Sequence, residues 1–308
     1  MAYKTTYPYT NEILATFDNA TDEALEEALA NGHALYKKWR AEGGLAERKA
    51  QLRKIAELLR RDVDKYAEVM TKDMGKLFVE AKGEVDLCAE IADYYADKAE
   101  EFLKPRPLEN INGDAYYIKQ ATGVLVAVEP WNFPFYQVMR VFAPNFMIGN
   151  PMILKHASIC PASAQAFDDL VLEAGAPIGA FKNLFLSYDQ VSKAIADPRV
   201  VGVCLTGSER GGASIAAEAG ANLKKSSMEL GGNDAFIILE DADFDLLDKT
   251  GTFFCKLCAE IVKIFIISDL IREWCIYKNC IIVFQCFKCK IQYTIIFVVA
   301  DILLEEIG

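Results

Sequence analysis

One carboxylate in this sequence stands where a general base would be useful. Residues 226–239 read SSMELGGNDAFIIL, so Glu229 ends a strand-like run and is followed by Gly231 and Gly232. A carboxylate at the end of a strand can reach into a cleft and take a proton there. A structural hydrogen-bond acceptor fits the same pattern equally well, and a base also needs a group to deprotonate.

A second stretch, EPWNFPFYQVMR (129–140), carries a neutral amide on a turn between two prolines. The side chain of Asn132 can donate a hydrogen bond to a developing oxyanion without any change in its own charge. Turn chemistry alone also explains an asparagine here. We therefore treat Asn132 as a candidate for oxyanion stabilisation, with the turn as the alternative.

A third stretch, MILKHAS (152–158), places a lysine directly after a strand. Lys155 could reach a ribose or a phosphate from there, although a lysine that extends along the surface to water fits as well. His156 beside it carries little weight, because the chain has only 2 histidines and no metal-ligand spacing.

A fourth stretch, CLTGSERGG (204–212), has glycines at a strand-to-helix turn. At Gly207 and Gly212 the backbone can approach a phosphate, and the free N–H groups at the start of the helix favour an anion. The spacing matches neither the G-x-G-x-x-G fingerprint nor a P-loop. By itself it indicates a phosphate site only weakly.

Each of these residues lies within or just after a strand-like run. From residue 123 onward, strand-like runs alternate with helical stretches, which predicts an α/β fold with a doubly wound parallel sheet. Such sheets bind ligands at the carboxyl ends of their strands, where the candidate residues fall. The earlier part predicts a β arm, a helix after Thr21, amphipathic helices over 47–70 and 76–102 with solvated charged faces, and a hairpin over 104–120.

The composition describes an acidic chain. Its 308 residues carry a formal net charge of -11, which argues against nucleic acid or an anionic membrane as a partner, because these require clustered lysine and arginine. The first seventeen residues lack the continuous apolar core of a secretory signal. We therefore expect a cytoplasmic protein.

The composition changes sharply near residue 250. All 10 prolines lie in residues 1–250, whereas residues 251–308 contain six of the 9 cysteines. We therefore predict two regions with this boundary. Two C-x-x-C pairs, at 255–258 and 286–289, are consistent with a zinc-stabilised module, but their wide separation and missing turn glycines favour an artefactual or frameshifted tail. No uncharged run in the tail is long enough to span a membrane.

Together, the four stretches resemble the aldehyde dehydrogenases. PWNFP, the lysine after the second strand, TGS with a glycine five residues on, and MELGGNDA occur in the order of that family, over about residues 3–249. LKHASICPASA and ELGGNDAFIILEDAD most resemble the succinate-semialdehyde dehydrogenase branch. The resemblance implies oxidation of an aldehyde to its acid with NAD or NADP, on subunits that form dimers or tetramers through a hairpin arm like 104–120.

The resemblance also implies roles for individual residues. Asn132 would hold the thiohemiacetal oxyanion, and Glu229 would activate the nucleophilic thiol and the hydrolytic water. Arg140 matches an arginine that succinate-semialdehyde enzymes use to bind the distal carboxylate, although a structural ion pair at a helix end explains it as well. The residues that would line the dinucleotide are Trp131, Lys155, Ser158, Gly207, Ser208, Gly212 and Leu230.

One position favours NADP over NAD. Many NAD-specific members place an acid three residues after the lysine, where this chain has Ser158. A carboxylate there would bind the ribose hydroxyls and repel a 2′-phosphate. Ser158, together with Lys155, therefore leaves room for NADP.

An essential part of the family's chemistry is missing. The nucleophilic cysteine belongs to a G-Q-x-C motif about thirty-five residues after the glutamate, where this chain has Lys263. Cys255 and Cys258 lack the glycine and glutamine of that motif, so neither is assigned a catalytic role. We therefore expect a truncated chain with little or no turnover. The family forms homo-oligomers, and the sequence leaves open whether this truncated chain does so. The alternatives are a non-catalytic nucleotide-binding remnant and a zinc-stabilised interaction module.

Overall fold

The computed structural model describes residues 3–109, 113–232, 281–286 and 291–296. Contacts between residues divide the chain into two units, Met1–Gly231 and Gly232–Gly308. The predicted boundary at residue 250 lies outside the described residues and stays a prediction. The same holds for Cys255, Cys258 and Lys263.

The first unit begins with an antiparallel hairpin of β1 (Tyr3–Tyr7) and β2 (Glu12–Phe17). The first helix, α1 (Asp22–Glu42), follows Thr21, whose hydroxyl accepts a hydrogen bond from the Ala24 N–H at 3.1 Å. Acidic residues occupy its first turn and a basic residue its last, as the helix dipole favours. The predicted arm and helix are both confirmed.

Three packed helices follow, namely α2 (Leu45–Arg61), α3 (Val63–Met74) and α4 (Phe78–Leu103). The sequence predicted one helix over 47–70, and the structure breaks it at Asp62, whose backbone (φ -113°, ψ 29°) leaves the helical region. Arg61 donates two hydrogen bonds to the Asp62 carboxylate, at 2.8 and 2.5 Å. Hydrophobic periodicity runs through such a break, so it does not reveal it.

The predicted hairpin is present as an antiparallel pair, β3 (Arg106–Leu108) and β4 (Ala115–Tyr117). It exposes apolar side chains, including Leu108 and Tyr116. Asn112 of the predicted turn lies outside the described residues.

The central sheet of the first unit consists of five parallel strands, which are β5 (Val124–Glu129), β6 (Met152–His156), β7 (Phe181–Asn183), β8 (Val200–Thr206) and β9 (Lys225–Glu229). The helices that alternate with them are α5 (Tyr136–Ile148), α6 (Pro161–Glu173), α7 (Tyr188–Ala196) and α8 (Glu209–Ala221). The spatial order of the strands is β7-β6-β5-β8-β9. The predicted α/β fold with a doubly wound parallel sheet is confirmed.

Buried side chains cover both faces of this sheet. On one face, Phe142 of α5 and Phe167 of α6 belong to a core shared with α2, α3 and α4. On the other face, Val126 and Val203 pack with residues of α1, α7 and α8. Because both faces are buried at the centre of the sheet, β5 and β6 read as nearly continuous apolar runs with polar side chains at their ends, whereas the edge strand β9 is polar and exposed.

The strand order reverses between β5 and β8. From β5 the chain builds outward through β6 and β7, then crosses back to β8 and β9. The parallel register places Glu129 opposite His156 and Thr206 opposite Glu229. The carboxyl ends of four strands are therefore level where the order reverses, and a crevice at such a point is the usual ligand site of an open α/β sheet.

The described part of the second unit is an antiparallel pair of strands, β10 (Ile281–Cys286) and β11 (Ile291–Ile296). Among the described residues, no group of three or more histidine, cysteine, aspartate or glutamate side chains is arranged to hold a metal ion. None of the helices in the described ranges is long and apolar enough to cross a membrane.

Candidate functional site

The turn that follows β5 is held by a buried ion pair. Glu84 of α4 accepts hydrogen bonds from the backbone N–H groups of Phe135 (2.8 Å) and Tyr136 (3.0 Å) through one carboxylate oxygen. Its other oxygen pairs with Lys76, whose ammonium nitrogen lies 3.6 Å from the centroid of the Phe133 ring. The carboxylate satisfies N–H groups that the start of α5 would otherwise leave free.

The buried ion pair fixes one end of the turn that carries two of the predicted site residues, Trp131 and Asn132. Trp131 is 49% exposed and Asn132 is exposed, while Pro134 and Phe135 of the same turn are buried. The Asn132 amide is thus open to a ligand on a turn whose other end cannot move freely. Sequence reasoning missed Glu84, because the charged face of its helix was expected to be solvated, and helical spacing alone does not reveal an inward-facing acid.

His156 is a structural residue. Its Nδ1 accepts a hydrogen bond from the Ala157 N–H at 2.8 Å, so Nε2 carries the proton and lies 3.0 Å from the Pro134 carbonyl oxygen, to which it donates. Burial lowers the pKa of His156 to about 4. The neutral ring therefore ties the end of β6 to the turn after β5.

Lys155 is buried rather than extended along the surface, since it is only 6% exposed. Its ammonium nitrogen lies 5.8 Å from the centroid of the Tyr3 ring and 5.5 Å from that of Tyr188. Within the described part of the chain, it has no carboxylate at ion-pair distance. Burial lowers the pKa of Lys155 to about 8. This cation lacks a charged partner and would be stabilised by an anion.

Two residues border this lysine at the end of β6. Ser158 is half-buried, with no charge of its own to oppose an anion. Tyr188 is 70% exposed at the start of α7, so its phenol is open to a ligand beside the ammonium. Sequence reasoning missed Tyr188, because more than thirty residues separate it from Lys155 and only the fold brings them together.

The glycine turn after β8 joins the end of that strand to the start of α8. The Gly207 N–H donates to the Glu229 carbonyl oxygen at 3.0 Å, and the Ser208 hydroxyl caps α8 by accepting from the Gly211 N–H at 3.3 Å. Gly212 has a second reason to be glycine, because a Cβ there would lie 2.5 Å from Cδ2 of Leu230. The free N–H groups at the start of α8 face the carboxyl edge of the sheet.

Glu229 ends β9 and is exposed. Its backbone pairs with Thr206, and among the described residues no side chain donates a hydrogen bond to its carboxylate. An exposed carboxylate without an internal partner is free to accept a proton from a ligand or water. The structure therefore leaves both of its predicted uses, base and hydrogen-bond acceptor, sterically open.

Arg140 of α5 faces the same edge. Its Nη2 donates to the Thr206 hydroxyl oxygen at 2.8 Å, and its guanidinium lies 5.7 Å from the centroid of the Tyr136 ring. The alternative of a structural ion pair is not observed, because no carboxylate in the described ranges forms a salt bridge with it. Glu129 at the end of β5 is the nearby acid, and burial raises its pKa to about 8.

The cysteines described in the first unit are not poised as nucleophiles. Cys88 and Cys160 are buried, and Cys204 is half-buried. Burial raises the pKa of Cys204 to about 11 and raises the pKa of Cys88 and Cys160 above the usual range. All three therefore remain thiols near neutral pH, whereas the reactive form of a cysteine is the thiolate.

Comparisons with known proteins agree with this geometry. Residues 1–254 match the model of the aldehyde dehydrogenase family. A succinate-semialdehyde dehydrogenase (NADP+) of Deinococcus radiodurans is 40% identical over 281 residues, which make up 88% of this chain and 58% of that protein. The chain thus spans little more than half the length of this relative.

Solved structures give the same result. The crystal structure of succinic semialdehyde dehydrogenase from Streptococcus pyogenes, in complex with NADP+ as the cofactor, superposes with a TM-score of 0.80 at 72% identity, covering 80% of this chain and 55% of that one. Succinate-semialdehyde dehydrogenase from Burkholderia pseudomallei gives a TM-score of 0.75 at 29% identity, covering 81% of this chain and 52% of that one. The chain belongs to the aldehyde dehydrogenase family, and it covers roughly the first half of these relatives.

Proposed function

We propose that this chain carries the NADP-binding half of an aldehyde dehydrogenase of the succinate-semialdehyde type, and that it binds the cofactor with little or no turnover by itself. The observation that carries the proposal is Lys155, a buried ammonium with no carboxylate partner in the described part of the chain. An anionic group would complete it, and Ser158 brings no charge that would repel a phosphate.

The residues around Lys155 fit a phosphorylated ribose. The ammonium would supply the positive charge, while the hydroxyls of Ser158 and of the exposed Tyr188 could donate hydrogen bonds to phosphate oxygens. At the neighbouring strand end, Gly207 and the capped first turn of α8 fit a diphosphate. The exposed side chains of Trp131 and Leu230 would border the dinucleotide between these two positions.

On the aldehyde side, three residues would act directly on the substrate. The cofactor, when bound, supplies the acceptor for the hydride that leaves the aldehyde carbon. Asn132 would donate to the oxygen on which negative charge develops, and Glu229 would take a proton from the attacking group. Arg140 would bind a carboxylate at the far end of the aldehyde, which suits succinate semialdehyde.

The absence of turnover follows from the nucleophile. The three cysteines described in the first unit remain thiols near neutral pH, and position 263 is a lysine. Without a thiolate, no covalent adduct forms from which hydride could leave. A cytoplasmic location and assembly through the 104–120 arm belong to the same proposal, as features of the complete enzyme.

Calorimetry with the purified chain tests cofactor binding. We expect NADP to bind more tightly than NAD, and Lys155→Met to weaken NADP binding by about tenfold or more, the usual effect of losing a charge-assisted contact. Lys155→Arg is the matched control, because it keeps the charge while changing the shape. Equal affinities for NADP and NAD in the unmodified chain would contradict the assignment of the 2′-phosphate site.

Absorbance of NADPH tests turnover. The purified chain is mixed with NADP and succinate semialdehyde, and we expect no rate above the background without protein. A rate that requires a free thiol and disappears in Glu229→Gln would overturn the statement that this chain lacks turnover.

A further inference from the structure

Glu129 is a buried acid that the proposed mechanism does not use. Its side chain is 2% exposed, and neither carboxyl oxygen has a partner in hydrogen-bond geometry among the described residues, although the Thr206 hydroxyl lies close enough to lower its pKa. Glu129 shares a face of β5 with Ala127, which belongs to the core that α5 covers. The residue therefore lies between the sheet and the helix that carries Arg140.

The charge that acts on this acid comes from Arg140. Burial has the largest effect on the pKa of Glu129 and raises it to about 8, while the Thr206 hydroxyl and the Arg140 guanidinium act in the opposite direction. The same guanidinium donates to the Thr206 hydroxyl oxygen at 2.8 Å. Val128 pairs with Leu205, so Glu129 and Thr206 come next on neighbouring strands. Glu129, Thr206 and Arg140 thus form one cluster at the carboxyl ends of β5 and β8.

An ionised carboxylate is costly where burial is complete and hydrogen bonds are missing. Glu129 is therefore uncharged near neutral pH. In that state it does not neutralise Arg140, and no other carboxylate in the described ranges forms a salt bridge with this guanidinium. The cluster then carries a full positive charge, which an anionic ligand can use.

We infer that Glu129 is a specificity-determining residue: as a neutral acid beside Arg140 it leaves the guanidinium free to bind the terminal carboxylate of an aldehyde substrate, and once ionised it competes with that carboxylate. The inference rests on the proposed function, in which Arg140 binds the distal end of the substrate. It adds a selection rule, because aldehydes with a neutral tail gain nothing from the cluster in either state.

Other titratable groups around the cluster are few. On β6, His156 has its pKa lowered to about 4 and stays neutral above that pH. On β8, Cys204 has its pKa raised to about 11. Tyr136 on α5 lies against the guanidinium, and Glu229 on β9 pairs with Thr206 through the backbone. Lys155 on β6 also changes charge near pH 8, but its ammonium lies over the rings of Tyr3 and Tyr188. Within the cluster, Glu129 is the described buried group whose charge changes between these limits.

Binding of succinate to the purified chain tests the inference. Succinate carries the terminal carboxylate without the reactive aldehyde, and saturation-transfer NMR on its carbon-bound protons measures weak affinities across a range of pH. We expect the dissociation constant to rise about tenfold between about pH 6.5 and about pH 9.5, the size of a one-unit pKa interaction. Succinamide, which is neutral, serves as the matched probe and should show no change.

Four variants locate the effect. Glu129→Gln keeps the shape but cannot ionise, so its affinity for succinate should change less than twofold over the same range, within measurement error. Arg140→Met should abolish binding at both ends of the range. Cys204→Ser and Glu229→Gln remove the other acids and should keep the pH dependence. If Glu129→Gln does not fold, NMR of the unmodified chain replaces this variant, and we expect a carboxyl resonance that titrates at about pH 8.

The inference is overturned if succinate affinity in the unmodified chain does not depend on pH, or if Glu129→Gln retains the dependence. It is also overturned if succinate fails to bind at either pH, or binds equally well to Arg140→Met. Loss of NADP binding in calorimetry would instead refute the proposed function, so the two failures are distinguishable.

Discussion

Two buried glutamates flank the turn that carries Asn132, and their surroundings are opposite. Glu84 on the helix side has an ion pair with Lys76 and two backbone N–H donors at 2.8 and 3.0 Å. Glu129 on the sheet side is 2% exposed, and neither of its carboxyl oxygens has a hydrogen-bond partner among the described residues. The same side chain is therefore a fixed charge on one side of the turn and a neutral acid on the other.

The difference shows how the fold divides its tasks. An acid with a complete set of partners gives rigidity, since breaking any contact leaves a buried group unsatisfied. An acid without partners gives little rigidity but can change its charge within an accessible range of pH. Here Glu84 supports the turn, and Glu129 lies next to Arg140 at the carboxyl ends of β5 and β8.

The largest effect is expected from removing the satisfied acid. Glu84→Ala leaves the Lys76 ammonium buried without a partner and two N–H groups without an acceptor, so the free energy of unfolding should fall by about 3–5 kcal/mol. Urea denaturation of the purified chain measures it. The double variant Glu84→Ala/Lys76→Met should recover part of the loss. A decrease below about 1 kcal/mol would show that the pair contributes no more than an exposed one.

The next effect concerns the unsatisfied acid and depends on pH. The pKa of Glu129 is raised from 4.5 to about 8 in the folded protein, so between these values the folded state holds a proton that the unfolded state has lost. The stability that the buried, protonated Glu129 contributes is fully present below pH 4.5 and is lost as the pH rises to about 8. The slope is at most about 1.4 kcal/mol per pH unit.

Urea denaturation of Glu129→Gln at several pH values checks this slope. The variant lacks the titrating group, so its stability relative to the unmodified chain should increase steadily across the window. A constant difference would mean that Glu129 is ionised in the folded protein, which would remove the contrast with Glu84.

Lys155 should change the pH dependence of stability in the opposite direction to Glu129, and by less. Burial lowers its pKa from 10.5 to about 8, so between these values the unfolded state binds a proton that the folded state has lost, and stability rises with pH. The window is narrower than that of Glu129. Lys155→Met should flatten the rise, as measured by thermal unfolding at several pH values. Lys155→Arg should flatten it as well, because arginine stays protonated in both the folded and the unfolded state.

The smallest effect is expected at Thr206. Replacement by valine removes the acceptor of the Arg140 hydrogen bond at 2.8 Å, which should lower the free energy of unfolding by about 1 kcal/mol. Thr206→Ser keeps the hydroxyl and is the control. A loss as large as that of Glu84→Ala would indicate that the Arg140 cluster is as rigid as the ion pair, contrary to the comparison.

Much of the fold was accessible from the sequence, for identifiable reasons. The strand over 152–156 is apolar throughout, and the cap at Thr21 and the proline at 161 mark helix starts with local chemistry. The break at Asp62 was not accessible, because the apolar spacing continues through it. Local patterns therefore predict elements whose ends have their own signals.

The site was accessible only where its residues adjoin strand ends. Asn132, Lys155 and Gly207 lie at or just after short apolar runs, so their common edge could be expected. Glu229 ends a polar strand, and its signal is the pair of glycines that follows it. Glu84 and Tyr188 are brought in by packing between elements distant in the chain. Their partners cannot be found by spacing, because contacts between residues more than thirty positions apart leave no periodic pattern in the sequence.

The contact between Gly212 and Leu230 has a mechanical consequence. Leu230 directly follows Glu229, and its side chain fills the space that a Cβ at position 212 would take. The first turn of α8 and the residue after β9 therefore pack closely against each other. A ligand at the proposed phosphate turn that shifted α8 would press on Leu230, the neighbour of Glu229, so binding there would be coupled to the position of the proposed base.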